Sequence, residues 1–257
     1  MKRIEDYNKK LPVNELYVAV QGEGSRAGMP TIVIRTIGCN LRCYFGEKGG
    51  FCDSWANSWK LEKGQFTFQD VINLYDANPH ITEMMITGGG PTKHPALINE
   101  LCIFAKSRSI FTTMETEVSE WIETEVPIDL ISMSPKFSNS IPVVGVTAPW
   151  GQEVTQKEVD RHEKFRINDE AVTKMMELHN DYHYKPVWDC TERGLEELEQ
   201  FRVRFNIPKN KTYVMPAGDS RQGLLFSYPA TMEMCMAEGY NFTGRPHIIA
   251  YDKKRCV

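Results

Sequence analysis

The feature that most constrains this chain is an alternation of short β-branched runs with amphipathic helical stretches. "ELYVAVQ" (15–21) and "TIVIRTI" (31–37) read as strands bounded by glycine. "TFQDVINLYDANP" follows as a helix: Thr67 and Asp70 form a capping-box start, and Phe68, Val71, Ile72 and Tyr75 share one face. "EMMIT" (83–87) is a strand running into a glycine loop, after which Pro95 opens the helix "PALINELCIFAKS". The cycle goes on with "FTTMET" (111–116) as a strand, "EVSEWIET" as a short helix and "IDLISMS" (128–134) as a strand. "DEAVTKMMELHNDY" is then a helix, "YHYKPVW" (182–188) a strand and "TERGLEELEQFRVRF" a helix. "TYVMP" (212–216), the helix "PATMEMCMAEG" and a last strand "HIIAYD" (247–252) close the series. Strands and helices at this pitch predict an α/β fold of parallel βα units, wrapped into a barrel or an open sheet. Residues 137–167 break the rhythm, and are expected to form an insertion within one domain spanning 1–257.

A chain of 257 residues, 41% hydrophobic and 25% charged, has the composition of a globular protein and can bury a core without disulfides. A net charge of −4, with both signs mixed along the chain, leaves no electrostatic footprint for a nucleic-acid partner. No apolar run is long enough to cross a bilayer, and the opening "MKRIEDYNKK" lacks the apolar stretch of a signal peptide. A cytoplasmic protein without membrane contact is expected.

Three of the seven cysteines crowd into "GCNLRCYFGEKGGFCDSW", spaced Cys39-x3-Cys43-x8-Cys52. The other four (Cys102, Cys190, Cys235 and Cys256) stand alone and read as small core residues. A metal clip, a disulfide loop and an ordinary cysteine-rich turn all remain open on spacing. Structural zinc takes four ligands in two close pairs, a grammar missing here, and a disulfide suits an oxidising compartment. Three thiolates where an iron–sulfur cubane takes four would leave one iron open to another ligand.

The stretch "VQGEGSRAGMPTIVIRTIGCNLRC", followed in chain order by "FCDSW", "MITGGGPTKHP", "SMSPK" and "RPHIIAYDKKR", resembles the 7-carboxy-7-deazaguanine synthases of the radical S-adenosylmethionine (SAM) superfamily. The resemblance covers nearly the whole chain and implies a partial, TIM-like βα barrel of the radical SAM type. It implies a [4Fe–4S] cluster on Cys39, Cys43 and Cys52, with the second gap six residues longer than usual. SAM would occupy the fourth iron and be cleaved to a 5′-deoxyadenosyl radical. "TGGGP" looks like the SAM-binding motif usually written TGGEP, which assigns SAM contact to Gly89 and places Gly90 where a glutamate is expected. Ser134, Pro135 and Lys136, and the stretch Met215, Pro216, Ala217 and Gly218, match further SAM-contacting segments. Ser54 stands where the family binds Mg2+ through a hydroxyl.

The implied substrate is 6-carboxy-5,6,7,8-tetrahydropterin, contacted by Val20, Gln21, Gly22 and Thr87, with its carboxylate gripped by Arg35. Glu23, Glu115 and His247 are secondary candidates. The implied reaction is a radical ring contraction to 7-carboxy-7-deazaguanine with loss of ammonia, on the route to queuosine and other 7-deazaguanines. The resemblance further implies a homodimer and an electron donor of flavodoxin type. Two competing readings are another radical SAM enzyme, such as a glycyl-radical activase, and a zinc-stabilised binding protein on the same scaffold.

Overall fold

The computed structural model describes residues 3–257. Its main sheet opens with β1 (Val13–Val20), antiparallel to β2 (Pro30–Thr36). From β2 onward, β3 (Glu83–Gly88), β4 (Phe111–Thr116), β5 (Leu130–Met133) and β6 (Tyr182–Tyr184) add in chain order, all parallel. A second parallel sheet of β7 (Val187–Trp188), β8 (Tyr213–Pro216) and β9 (Asn241–Phe242) continues it, because Tyr184 bridges Thr212. Among the described residues no ladder returns from β9 to β1, so the barrel is incomplete. Parallel strands need a crossover between them, and helices supply it. The sheet curls as well: Glu23, just past β1, meets Lys185 after β6 and Arg245 after β9.

Two single-turn helices, α1 (Gly46–Gly49) and α2 (Trp55–Ser58), precede the first crossover. The crossovers and their flanks are α3 (Phe68–Ala77), α4 (Pro95–Ser107), α5 (Gln156–Phe165), α6 (Asp169–Glu177), α7 (Glu192–Arg204), α8 (Arg221–Glu238) and α9 (Pro246–Tyr251). α3 begins as its sequence predicts, with Thr67 Oγ1 accepting from Asp70 N at 3.1 Å while the Asp70 carboxylate accepts from Thr67 N at 2.8 Å.

Alternation along each strand sorts the side chains onto two chemically distinct faces. Ile32, Ile34, Met84, Ile86, Met114, Ile131, Met133 and Tyr184 join the apolar core with Val71, Ile98, Leu101, Val172 and Leu198 of the helices. The opposite, concave face carries Arg35, Thr87, Glu115, Ser132 and His183. Its lower end is closed by the segment after β1. Arg26 pairs there with Glu83 at the start of β3 and lies over the Phe111 ring at 4.5 Å.

Four elements differ from the sequence expectation, and one is the helix expected over "PATMEMCMAEG", which is only the second half of α8, begun at Arg221 with Pro229 inside it. Residues 117–124 form bends rather than a helix, with Val118 fully buried at a positive φ of 54°. "YHYKPVW" is two short strands, since Pro186 has no N–H to continue the ladder. "HIIAYD" is not the closing strand. Pro246 starts helix α9 there, with Ile248 turned into the core, and the last strand is Asn241–Phe242.

Candidate active site

The cysteine segment and the loops after β3, β4, β5 and β8 gather at the carboxyl ends of the parallel strands, while Gln21 and Gly22 follow β1 beside the start of β2. The cysteine segment leaves β2, and its long second gap folds into a small hairpin. Tyr44 bridges Phe51, Phe45 N donates to Gly50 O at 2.8 Å, and Cys52 N donates to Cys43 O at 3.2 Å. Gly46 and Gly50 sit at φ of 73° and 65°, where a Cβ is strained. The six extra residues are therefore looped out, and Cys52 returns beside Cys43.

Cys39, Leu41 and Cys43 form one buried cluster with Cys52, Phe45 and Phe165 packed against it. All seven cysteines are free thiols. Burial raises all three clustered thiols: Glu117 adds to the rise at Cys39, Cys52 adds to it at Cys43, and Asp53 adds to it at Cys52, which reaches about 11. The Lys136 charge opposes this rise at Cys43 and Cys52 without overcoming it, so three buried thiols beside carboxylates still favour a cationic partner, which a cluster would supply. Among the described residues, no three His, Cys, Asp or Glu side chains are grouped to hold one metal ion.

The insertion 137–167 seals this loop from outside. Helix α5 brings Arg161, whose guanidinium donates to Asn40 O at 2.8 Å and to Cys39 O at 3.2 Å. His162 Nδ1 accepts from Arg42 N at 3.1 Å. Trp150 stacks on Trp55 at 5.2 Å between ring centres and meets Phe51 edge-on at the same distance, while Trp59 Nε1 donates to Cys43 O at 3.0 Å.

The loop after β3 packs against the cysteine segment. Gly90 N donates to Gly38 O at 2.7 Å, and a Cβ on Gly89 would fall 2.4 Å from the carbonyls of Gly38 and Asn57. Bare backbone is thus required at Gly89 for this approach alone. Glu117, after β4, lies next to both: it is 5% exposed, with Oε1 accepting from Ser119 Oγ at 2.7 Å and 3.8 Å from Cys39 Sγ. Its Oε2 is buried without a partner. Burial raises its pKa, an effect the Ser119 hydrogen bond partly offsets. After β5, Lys136 Nζ donates to Ser134 O and Oγ, both at 2.8 Å, with Pro135 buried between them. At the end of β8, Met215 and Pro216 are buried; just beyond it Ala217 N donates to Trp188 O at 3.0 Å, and Gly218 O accepts from Arg245.

Deeper in the concavity lies an ion network. Lys185, 2% exposed, binds the carboxylates of Glu23 and Glu115. Burial alone would lower Lys185 and raise Glu23, but the pairing outweighs it. Lys185 stays above its ordinary value, and Glu23, with help from Arg245, falls well below the carboxylate range. Arg245 spans three segments, reaching Glu23 at 3.0 Å, Asp53 at 2.9 Å and Gly218 O. His247 lies 3.9 Å from Glu23 and fills the space a side chain on Gly22 would need.

Of the sequence candidates, Gln21 is buried and neither its amide nitrogen nor its oxygen has a partner. Thr87 donates to Glu115 at 2.9 Å. Arg35 is half occupied: Nε pairs with Glu15 at 2.6 Å, and Nη1 reaches Ser54 Oγ at 3.3 Å. Val20 stands apart, 53% exposed on the edge strand. Lys185, Arg245 and Glu117 escaped the sequence reading. Lys185 was signalled only by sharing a face with His183 in "YHYKPVW", and the other two carried no local signal.

No protein-family model matches the chain. A 7-carboxy-7-deazaguanine synthase of Halobacterium salinarum is 30% identical over 249 residues, covering 94% of this chain and 91% of that protein. The same-named protein of Rhodopirellula baltica is 26% identical over 245 residues, covering 95% and 88%. The crystal structure of QueE from Escherichia coli superposes with a TM-score of 0.59 at 18% identity, covering 91% of this chain and 93% of that one, a likeness of fold.

Proposed function

The chain belongs to the 7-carboxy-7-deazaguanine synthases, and from that premise we propose how its residues convert 6-carboxy-5,6,7,8-tetrahydropterin to 7-carboxy-7-deazaguanine and ammonia. Cys39, Cys43 and Cys52 would hold a [4Fe–4S] cluster by three irons. When bound, the cluster and SAM supply the 5′-deoxyadenosyl radical that takes a hydrogen atom from the pterin.

The residues supply position, charge and dryness. Gly89, Ser134, Pro135 and Lys136, with Met215 through Gly218, form the rim against which SAM would lie. Gln21 offers an unpaired donor and an unpaired acceptor inside the concavity, complementary to the amino and carbonyl edge of a pterin. Thr87 and the Val20–Gly22 backbone border the same space. Arg35 keeps Nη1 beside Ser54, so a substrate carboxylate there would meet a guanidinium fork and the hydroxyl proposed for Mg2+ together. Glu23, Glu115 and His247 surround Lys185 and Arg245, fixing a charged floor beneath the ring. Helix α5 and Trp150 keep water from the thiol loop. The whole chain acts as one catalytic domain, works as a homodimer, and takes electrons from a flavodoxin-like donor.

Two observations support this reading: three thiols cluster in the loop after β2, and Gln21, just past β1, is buried with neither amide atom partnered. In the test, anaerobically reconstituted protein receives SAM, reductant, Mg2+ and the carboxytetrahydropterin. Mass spectrometry should find a product lighter by one ammonia. SAM cleavage without conversion of the pterin would instead place the chain among other radical SAM enzymes.

A further inference from the structure

The family pattern expects a glutamate at position 90, and this chain has glycine. The space that side chain would fill is taken. A Cβ built on Gly90 would lie 2.6 Å from Glu117 Oε1 and 3.2 Å from Oε2. No ordinary residue fits at 90 while Glu117 holds this position, and the acid, not the backbone loop, is what stands in the way. A carboxylate is therefore present beside the thiols, delivered from β4 instead of from the β3 loop.

Two further facts mark it as more than a packing group. Glu117 is almost wholly buried, and Oε2 has no hydrogen-bond partner, whereas Oε1 is held by Ser119. Buried carboxylate oxygens are ordinarily satisfied, so an open one beside the thiol loop can take a donor from a bound ligand, and a charged donor most strongly. The nearby Lys136 does not serve, since its ammonium donates to Ser134 O and Oγ and makes no hydrogen bond to Glu117. Resting on the function proposed above, we infer that Glu117 receives the α-ammonium group of SAM, so that Gly90 and Glu117 together replace the usual glutamate at 90. Its role is to bind and position SAM. Ser119 orients the carboxylate by holding one oxygen and leaving the other for the ligand.

The test measures SAM binding by equilibrium dialysis, and the change in the reduced cluster's electron paramagnetic resonance signal on adding SAM. Glu117→Gln keeps the shape but removes the charge. It should retain the iron content of the unaltered protein, bind SAM at least about tenfold more weakly, as loss of a charge-assisted hydrogen bond implies, and show a diminished spectral change. The paired variant Gly90→Glu with Glu117→Gly returns the acid to the β3 loop and frees the space it needs, and should recover most of the affinity. Glu117→Gln binding SAM as tightly as the unaltered protein overturns the inference. So does loss of iron along with SAM, which would assign Glu117 to the thiol loop. If Glu117→Gln does not fold, the paired variant decides alone, tight SAM binding supporting the exchange and weak binding refuting it. Failure of the unaltered, iron-loaded protein to bind SAM would remove the proposed function itself, a result distinct from any of these.

Discussion

At the scale of single residues, the concave face is governed by charges that cannot be removed one at a time. Lys185 is held between Glu23 and Glu115 and has almost no contact with water. Lys185→Met would leave two carboxylates facing each other in a buried site, and should cost about 3–5 kcal/mol in urea unfolding. His183 tests the same environment through pH. It lies between Ser25 Oγ at 3.0 Å and Ser132 Oγ at 2.7 Å, with the Tyr213 ring 5.1 Å away. Burial, and then the Lys185 charge, push its pKa down to about 3, against a small opposing pull from Asp181. The unfolded chain then binds the proton more readily, so this contribution is complete above an ordinary histidine value of about 6.5 and is lost as pH falls toward 3. His183→Asn should flatten the decline in stability between pH 6.5 and 4.5 by up to about 1.4 kcal/mol per pH unit. An unchanged slope would mean that His183 titrates as an ordinary histidine. Gln21 and Arg35 could be named from the sequence because they stand in contiguous motifs. Lys185 and Arg245 could not, since their partners lie 162 and 222 residues away at Glu23.

At the scale of elements, local chemistry was readable wherever a local rule decides the outcome. The Thr67–Asp70 box starts α3 as expected, and Thr67→Ala should cost about 1 kcal/mol in thermal or urea unfolding while leaving turnover unchanged. Elements decided by distant partners were misread. "HIIAYD" has the composition of a strand, but β9 already occupies the edge beside β8, and Pro246 sets a helical first turn in its place. "EVSEWIET" has helix-forming residues, yet Val118 takes a positive φ of 54°, which a right-handed helix does not accommodate, and Glu117 turns toward Cys39. The insertion read as an interruption is a clamp, because α5 ties the carbonyls of Cys39 and Asn40 through Arg161. Arg161→Met should leave the fold intact and make the iron–sulfur centre bleach faster in air, followed by visible absorbance. Equal bleaching rates would show that the clamp has no part in protecting the thiol loop.

At the scale of the whole molecule, one sheet is divided between two tasks by the two-residue period of its strands. The outer face is apolar and packs the helices, while the inner face is polar, charged and incompletely satisfied. An unfilled polar interior is costly for folding alone, and is accounted for by a polar ligand that completes it. The parallel βα order was legible from the strand–helix alternation, and the thiol trio from its crowding. The curl that brings residue 23 against residues 185 and 245 was not, since it depends on the summed twist of many strands. Among the described residues, no helix is long and apolar enough to cross a membrane. The claim on which the rest depends is that three thiols in this mouth carry an iron–sulfur cubane, and direct iron and sulfide analysis of protein purified without oxygen tests it. The account predicts brown protein with about four irons and four sulfides per chain, and colourless, iron-free protein once Cys39, Cys43 and Cys52 are replaced together by alanine. Colourless protein holding one zinc ion per chain, or a triple variant that keeps its iron, would contradict it.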